Sequence, residues 1–220
     1  VEGTEMNLTD PNLIMMFEKL AEWEDAGLFG YYGAGWADNQ TPFEQGKVAL
    51  WIGSSGSFGG LQKTASMPFT AGFLPYWNSI DGAGTNTFIG GAALFAMSGK
   101  SDAENACTAS FFQFLTSPEI QKFYHQATGY VAITTAAYEL AKSEGYYEEQ
   151  PVAEVGIQQL MLPSGEWSKG YRLGFYPQIR SIMEREYNRI FAGETTVQEA
   201  FETIKSEGDA LLARFAQTAG

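Results

Sequence analysis

The sequence predicts an α/β fold, rich in helix and carrying a sheet of short strands. Two observations carry this. Apolar residues recur at helical spacing in several segments that open on a capping residue or proline and close on glycine. Among them stand three apolar runs, 47–52, 69–75 and 86–97, with the length of buried strands. Strands interspersed among helices argue for an α/β lobe rather than a helical bundle.

The elements follow in order. Asp10 can cap a first helix, Pro11 suits its first position, and Ile14, Phe17 and Ala21 share a face until Gly27 ends it. A loop rich in glycine and aromatics runs from Leu28 to Asn39. Lys47 to Ile52 reads as a buried strand that stops at Gly53-Ser54-Ser55-Gly56-Ser57. Phe69 to Pro75 reads as a second strand, followed by a turn-rich excursion from Asn78 to Thr85. Asn86 to Met97 is a third apolar stretch, interrupted by Gly90-Gly91. Ser101 and Glu104 form a capping box, and Phe112 and Leu115 continue the apolar face of that helix. Further helices are expected from Pro118 to Gly129, from Thr135 to Ser143, from Pro177 to Ala192 and from Val197 to Phe215. The last carries Val197, Phe201, Ile204, Leu211 and Phe215 on one stripe, weakened at Gly208.

The composition excludes several functions. With 220 residues and a formal net charge of −13, the chain disfavours nucleic acid and anionic membrane as partners. No apolar run approaches the roughly 20 residues that span a bilayer. No basic n-region or h-region opens the chain, so no signal peptide lies within it. Val1 to Glu5 reads as a start in mid-chain. Cys107 is the sole cysteine and His125 the sole histidine, too few for a zinc site; no cofactor is indicated. Cys107, near Ala103, Ala106 and Phe111, is expected to be a small buried helix residue.

Catalytic machinery is thin. Ser55 could be the nucleophile of a hydrolase elbow, but Ser57 stands where the second glycine is needed. His125 is its sole possible histidine base and lies inside an expected helix, where a structural or surface role fits better. Anion capture fits the residues more closely. A Gly/Ser loop opening a helix presents backbone N–H groups and hydroxyls, and Gly53 to Ser57 is either such a loop or a plain strand-to-helix turn. Gly90-Gly91 marks either close backbone approach by a ligand or a bulge. All five arginines fall from residue 172 onward. Arg185, Arg189 and Arg214 sit among acidic neighbours at helical spacing and read as surface charges. Arg180 follows Tyr176-Pro177 at a helix start, where a guanidinium could meet a bound anion.

These segments together resemble a known family. Phe43-Glu44-Gln45-Gly46-Lys47-Val48-Ala49-Leu50 is similar to a segment common in the extracellular solute-binding proteins of ABC importers, the maltose-binding type. Four further segments resemble the branch that binds glycerol 3-phosphate in the periplasm. They are Gly53 to Ser57, Ile89 to Ala92, His125 to Tyr130 continuing through Thr134 to Leu140, and Gly170 to Gly174 with Gln178 to Arg180. The resemblance runs from about Phe43 to the C-terminus.

The resemblance implies two α/β lobes that close on a ligand like a trap. Residues 43–220 would be the C-terminal lobe and residues 1–42 a helix and loop leading from the lobe boundary, with the N-terminal lobe absent from this chain. The implied ligand contacts are Ser55, Gly91 through its N–H, Tyr130 and Arg180. The implied ligand is glycerol 3-phosphate or a related glycerophosphoester, the implied partners an ABC permease and the N-terminal lobe, and the implied location periplasmic or extracellular. A sugar or polyol is the alternative ligand, and would favour stacking on aromatics such as Trp77 or Trp167.

Overall fold

The computed structural model describes residues 2–73, 87, 89–163, 170 and 172–218. In chain order its elements are β1 (Glu2–Gly3), α1 (Pro11–Asp25), α2 (Trp36–Glu44), a 3-10 turn (Ser55–Ser57), α3 (Phe58–Thr64), α4 (Asp102–Leu115), α5 (Pro118–Thr128), α6 (Thr135–Ser143), α7 (Tyr146–Glu149), α8 (Pro151–Leu160), β2 (Arg172–Leu173), α9 (Tyr176–Phe191) and α10 (Val197–Thr218). They form two compact units. One joins Val1–Thr41 to Tyr171–Gly220, and the other is Pro42–Gly170.

The first unit is built on α9 and α10. Ile179 and Ile190 of α9 meet Val197, Ala200, Phe201, Ile204 and Leu212 of α10, and Leu13, Ile14, Phe17 and Ala21 of α1 pack on that core. The Asp10 carboxylate accepts the Asn12 N–H at 2.8 Å, so α1 is capped as its sequence requires. Ahead of α1, the chain is pinned to α10: the Met6 N–H donates to Asp209 at 2.7 Å, and Lys205 bonds Asp209 and the Met6 carbonyl. This explains Gly208, which costs α10 some helix propensity. A Cβ there would lie 2.9 Å from Cγ of Met6, so glycine lets the N-terminal segment pass close by. Glu186 is buried, and both of its oxygens are taken, one by Arg185 and the other by Arg189, each at 2.7 Å. Arg185 also reaches Glu207 on α10. These two arginines are surface charges as expected, each fastened to a buried carboxylate.

The second unit has its core at Phe58, Ala141, Tyr147, Ala153 and Ile157, contributed by α3, α6, α7 and α8. The helices from α4 to α6 start and stop where their caps predict: the Ser101–Glu104 box is made in both directions, and Gly129 closes α5 at φ 83°.

The structure departs from the sequence reading in its strands. The sole sheet among the described residues is the parallel pair β1–β2, two residues each. Residues 47–52 form no strand, and Leu50 and Ile52 are exposed. Residues 69–73 are likewise irregular, and the rest of that expected strand, with the excursion from Asn78 to Thr85, lies outside the described residues. Residues 89–97 are irregular too, with Leu94, Phe95 and Met97 turned out. A strand exists through a neighbour's ladder, and apolar composition supplies none. Three helices stand where the sequence reading places none: α2 within and beyond the expected loop, the short α7 after Gly145 and α8 after Gln150. Cys107 is exposed, not buried. On α4 the half-buried positions are Thr108, Phe112 and Leu115, so Cys107 shares the outward stripe with Phe111 and Phe114.

Candidate ligand cradle

Within the second unit, the start of α3, the end of α5 and the middle of α8 converge on the turn that holds Ser55. The turn is locally closed. Ser54 Oγ accepts the Gly56 N–H at 3.2 Å, and the Ser57 N–H donates to the Ser54 carbonyl at 3.0 Å. Two amides of the Gly53–Ser57 loop are therefore satisfied inside the turn, and its donors toward an anion are fewer than its composition suggests. The Ser55 side chain itself lies at the exposed surface.

Glycines set the approach of everything around it. A Cβ on Gly129 would fall 2.7 Å from the Ser55 carbonyl oxygen and 2.9 Å from Cβ of Phe58. Gly129 also has φ 83°, so glycine is required twice there, by conformation and by contact. On α3, a Cβ on Gly59 would lie 3.0 Å from the Ala127 carbonyl oxygen, which brings α3 and the end of α5 into close contact. From α8, Gly156 faces Ser55.

Tyr130 follows directly. A Cβ on Gly56 would lie 3.0 Å from Cε2 of Tyr130, and one on Gly91 would lie 3.8 Å from Cε1. Those carbons are opposite edges of the ring flanking the hydroxyl, so the phenol end of Tyr130 stands between Gly56 and Gly91. Gly91 adopts φ 106°, a conformation open to glycine and strained for a side chain. Tyr130 itself is 43% exposed, with its ring 5.9 Å from that of Tyr124.

Three of the four expected contacts, Ser55, Gly91 and Tyr130, thus belong to one constellation of the second unit. Arg180 belongs to the first unit. It lies on the second turn of α9, where its Nε donates to Glu184 at 2.9 Å and its side chain is 62% exposed. The residue capping that helix is Phe175 in the left-handed region, φ 52°, with Arg214 over its ring at 5.1 Å. Trp77 and Trp167 lie outside the described residues.

His125 is buried, against any surface role. Nδ1 lies 2.6 Å from the Tyr130 carbonyl oxygen, and Nε2 lies 3.1 Å from the Tyr147 hydroxyl. Both nitrogens are engaged, so neither serves Ser55 as a base.

A family model described as bacterial extracellular solute-binding protein matches residues 2–151. The chain belongs to that family. Among curated relatives, the sn-glycerol-3-phosphate-binding periplasmic protein UgpB of Yersinia enterocolitica is 38% identical over 99% of this chain and 50% of its own length. The protein of the same name from Salmonella typhimurium is 37% identical over 97% of this chain and 49% of its own. The chain spans about half the length of the curated relatives it matches. Two solved structures share its fold. UgpB from Mycobacterium tuberculosis, crystallised in complex with glycerophosphocholine, has a TM-score of 0.73 at 20% identity, over 94% of this chain and 50% of that one. The cyclic α-maltosyl-1,6-maltose binding protein from Arthrobacter globiformis has a TM-score of 0.70 at 20% identity, over 96% and 51%. The helix-rich fold of a solute-binding protein, expected from the resemblance, is the one found.

The sequence reading places Gly56 in the loop and Gly129 at a helix end without foreseeing their close contacts, and it misses Gly156 altogether. Gly156 left one trace, an isolated glycine in a helix that has no other use for it.

Proposed function

We propose that this chain is part of the exported solute-binding subunit of an ABC importer and captures glycerol 3-phosphate or a related glycerophosphoester. The observation that carries this reading is the cradle itself, with the Tyr130 phenol standing between Gly56 and Gly91 one residue from the exposed hydroxyl of Ser55. In this reading Ser55 and Tyr130 donate hydroxyl bonds to ligand oxygens, Gly91 offers its N–H, and Arg180 supplies the cation. The family match and the names of the relatives support the ligand class.

The subunit acts without catalysis. The sole histidine, His125, has both nitrogens occupied away from Ser55 and does not serve it as a base. Residues 43–220 serve as the lobe that carries the anchor, with residues 1–42 leading from the lobe boundary, and an N-terminal lobe completes the pocket. Closure of the lobes produces the form that docks on the membrane permease, outside the cytoplasm. The net charge of −13 opposes long-range attraction of an anion, so capture rests on these local donors.

The test is titration calorimetry of the full-length protein with glycerol 3-phosphate, glycerophosphocholine and maltose. Saturable heat with either phosphoester, and none with maltose, is expected. Binding of maltose alone would transfer the site to sugars, and indifference to both phosphoesters would end the proposal.

A further inference from the structure

His125 and Tyr147 form a buried pair to which the proposed ligand contacts assign no role. His125 is 1% exposed and Tyr147 7%. A carbonyl oxygen can only accept, so the 2.6 Å contact places the ring proton on Nδ1, donating to Tyr130. Nε2 then carries a lone pair and accepts from the Tyr147 hydroxyl. Both bonds are satisfied together by one tautomer of the neutral ring.

The pair is held from behind. The Tyr147 ring lies 5.4 Å from that of Tyr138 and 5.3 Å from that of Tyr146. The Tyr138 hydroxyl donates to Glu154 of α8 at 2.6 Å. Two residues further along α8 is Gly156, which faces Ser55. The chain from Glu154 through Tyr138, Tyr147 and His125 to the Tyr130 carbonyl therefore joins the two sides of the cradle. The backbone it grips belongs to a tight turn. Gly129 donates its N–H to the His125 carbonyl at 2.8 Å, and Tyr130 donates its own to Thr128 Oγ1 at 3.1 Å.

We propose that His125 is a positioning residue for ligand capture: its Nδ1–H fixes the Tyr130 carbonyl and so holds the phenol between Gly56 and Gly91, while Tyr147 locks the imidazole in the required tautomer. This rests on the reading of the cradle as the ligand site. An ordinary core histidine would matter to stability alone. A positioning histidine matters to affinity in a way that depends on its proton.

Protonation would turn Nε2 into a donor and place a charge in a buried site, and burial already lowers the His125 pKa from its usual value. The titratable groups packed around the ring are tyrosines, Tyr146 and Tyr147 from α7 and Tyr138 behind them on α6. Beyond Tyr138 stand Lys142 and Glu154, a cation and an anion that both contact it.

Calorimetry on the full-length protein, with whichever phosphoester the wild type binds, tests this from pH 8 to pH 5. The ligand's own titration is common to all variants and drops out of their ratios. His125→Leu is expected to weaken binding at least tenfold at pH 8. His125→Gln, which keeps a donor and an acceptor, should recover most of that loss and show no fall in affinity relative to wild type as the pH drops. Tyr147→Phe keeps the shape of the core and guards against a misfolded leucine variant. It should weaken binding at pH 8 less than His125→Leu does, since the Nδ1–H bond to Tyr130 remains, and lose affinity at a higher pH than wild type, because an unpartnered Nε2 takes a proton more readily. Overturning results are a folded His125→Leu within twofold of wild type, or pH profiles of wild type, His125→Gln and Tyr147→Phe that superimpose. A wild type that binds neither phosphoester instead overturns the reading of the site, and this inference with it.

Discussion

A Cβ added to Gly156 of α8 would lie 3.0 Å from Cβ of Ser55 and 3.4 Å from its hydroxyl oxygen. This contact sets helix propensity against site geometry. Gly156→Ala would favour α8 by about 1 kcal/mol of propensity and at the same time push Ser55 by a few tenths of an ångström. A melting temperature at or slightly above wild type, with weakened phosphoester binding in calorimetry, is expected. Undiminished affinity in the variant would remove Ser55 from the contacts.

Gly129 presents the opposite case. An alanine there meets backbone, the Ser55 carbonyl oxygen at 2.7 Å, in a conformation that disfavours side chains. Gly129→Ala should lower stability by about 1–3 kcal/mol, read from the urea midpoint. An unchanged midpoint would mean that the close packing of this turn on Ser55 is not maintained in solution.

Arg180 separates binding from folding. Its ion pair with Glu184 is exposed on both sides, so Arg180→Ala should change stability by less than about 0.5 kcal/mol. Loss of a charge-assisted bond to a phosphate should weaken ligand binding by roughly tenfold or more. Wild-type affinity in Arg180→Ala would show that the anchor lies elsewhere.

Burial lowers the His125 pKa, with the bond to Tyr130 opposing this more weakly. The folded state therefore binds this proton less readily than the unfolded state, whose pKa is the ordinary value near 6.5. The contribution is fully present above that value and is lost as the pH falls from it through the lowered folded pKa. Urea midpoints measured between pH 8 and pH 5 should decline on the acid side, and less so in His125→Gln. Identical slopes would show that His125 is not desolvated.

The stretch from Ile89 to Met97 offers a simpler measurement. Ile89, Leu94, Phe95 and Met97 are 63%, 66%, 85% and 74% exposed. The 220-residue chain alone should bind an environment-sensitive apolar dye strongly, and Leu94→Ser with Phe95→Ser should reduce the signal. A dye response no greater than that of an ordinary compact protein would contradict the exposure of this run.

Helix ends were the most legible feature of the chain. Asp10-Pro11, the Ser101–Glu104 box and Gly129 each act within one turn of their own backbone, and each stops or starts a helix where the residues alone require it. The site was half legible. Glycines and hydroxyls around Ser55 and Gly91 pointed to a cradle, because small residues in apolar surroundings signal close approach. Gly156 carried only the trace of an isolated glycine in a helix, and His125 no sign of its role. What they touch lies on other helices, and their roles appear when α5, α7 and α8 are packed together.

By itself, then, the sequence determined the helices with their caps, the acidic surface and the resemblance to solute-binding proteins, since these depend on neighbours a few residues apart or on composition. The tertiary structure decided the rest. It left the apolar runs at 47–52 and 89–97 without a ladder, because a strand needs a partner that its own residues do not contain. It turned Cys107 outward, because α4 turns the half-buried stripe of Phe112 and Leu115 inward instead. And it set Tyr130 between Gly56 and Gly91, because a buried histidine five residues earlier holds its carbonyl in place.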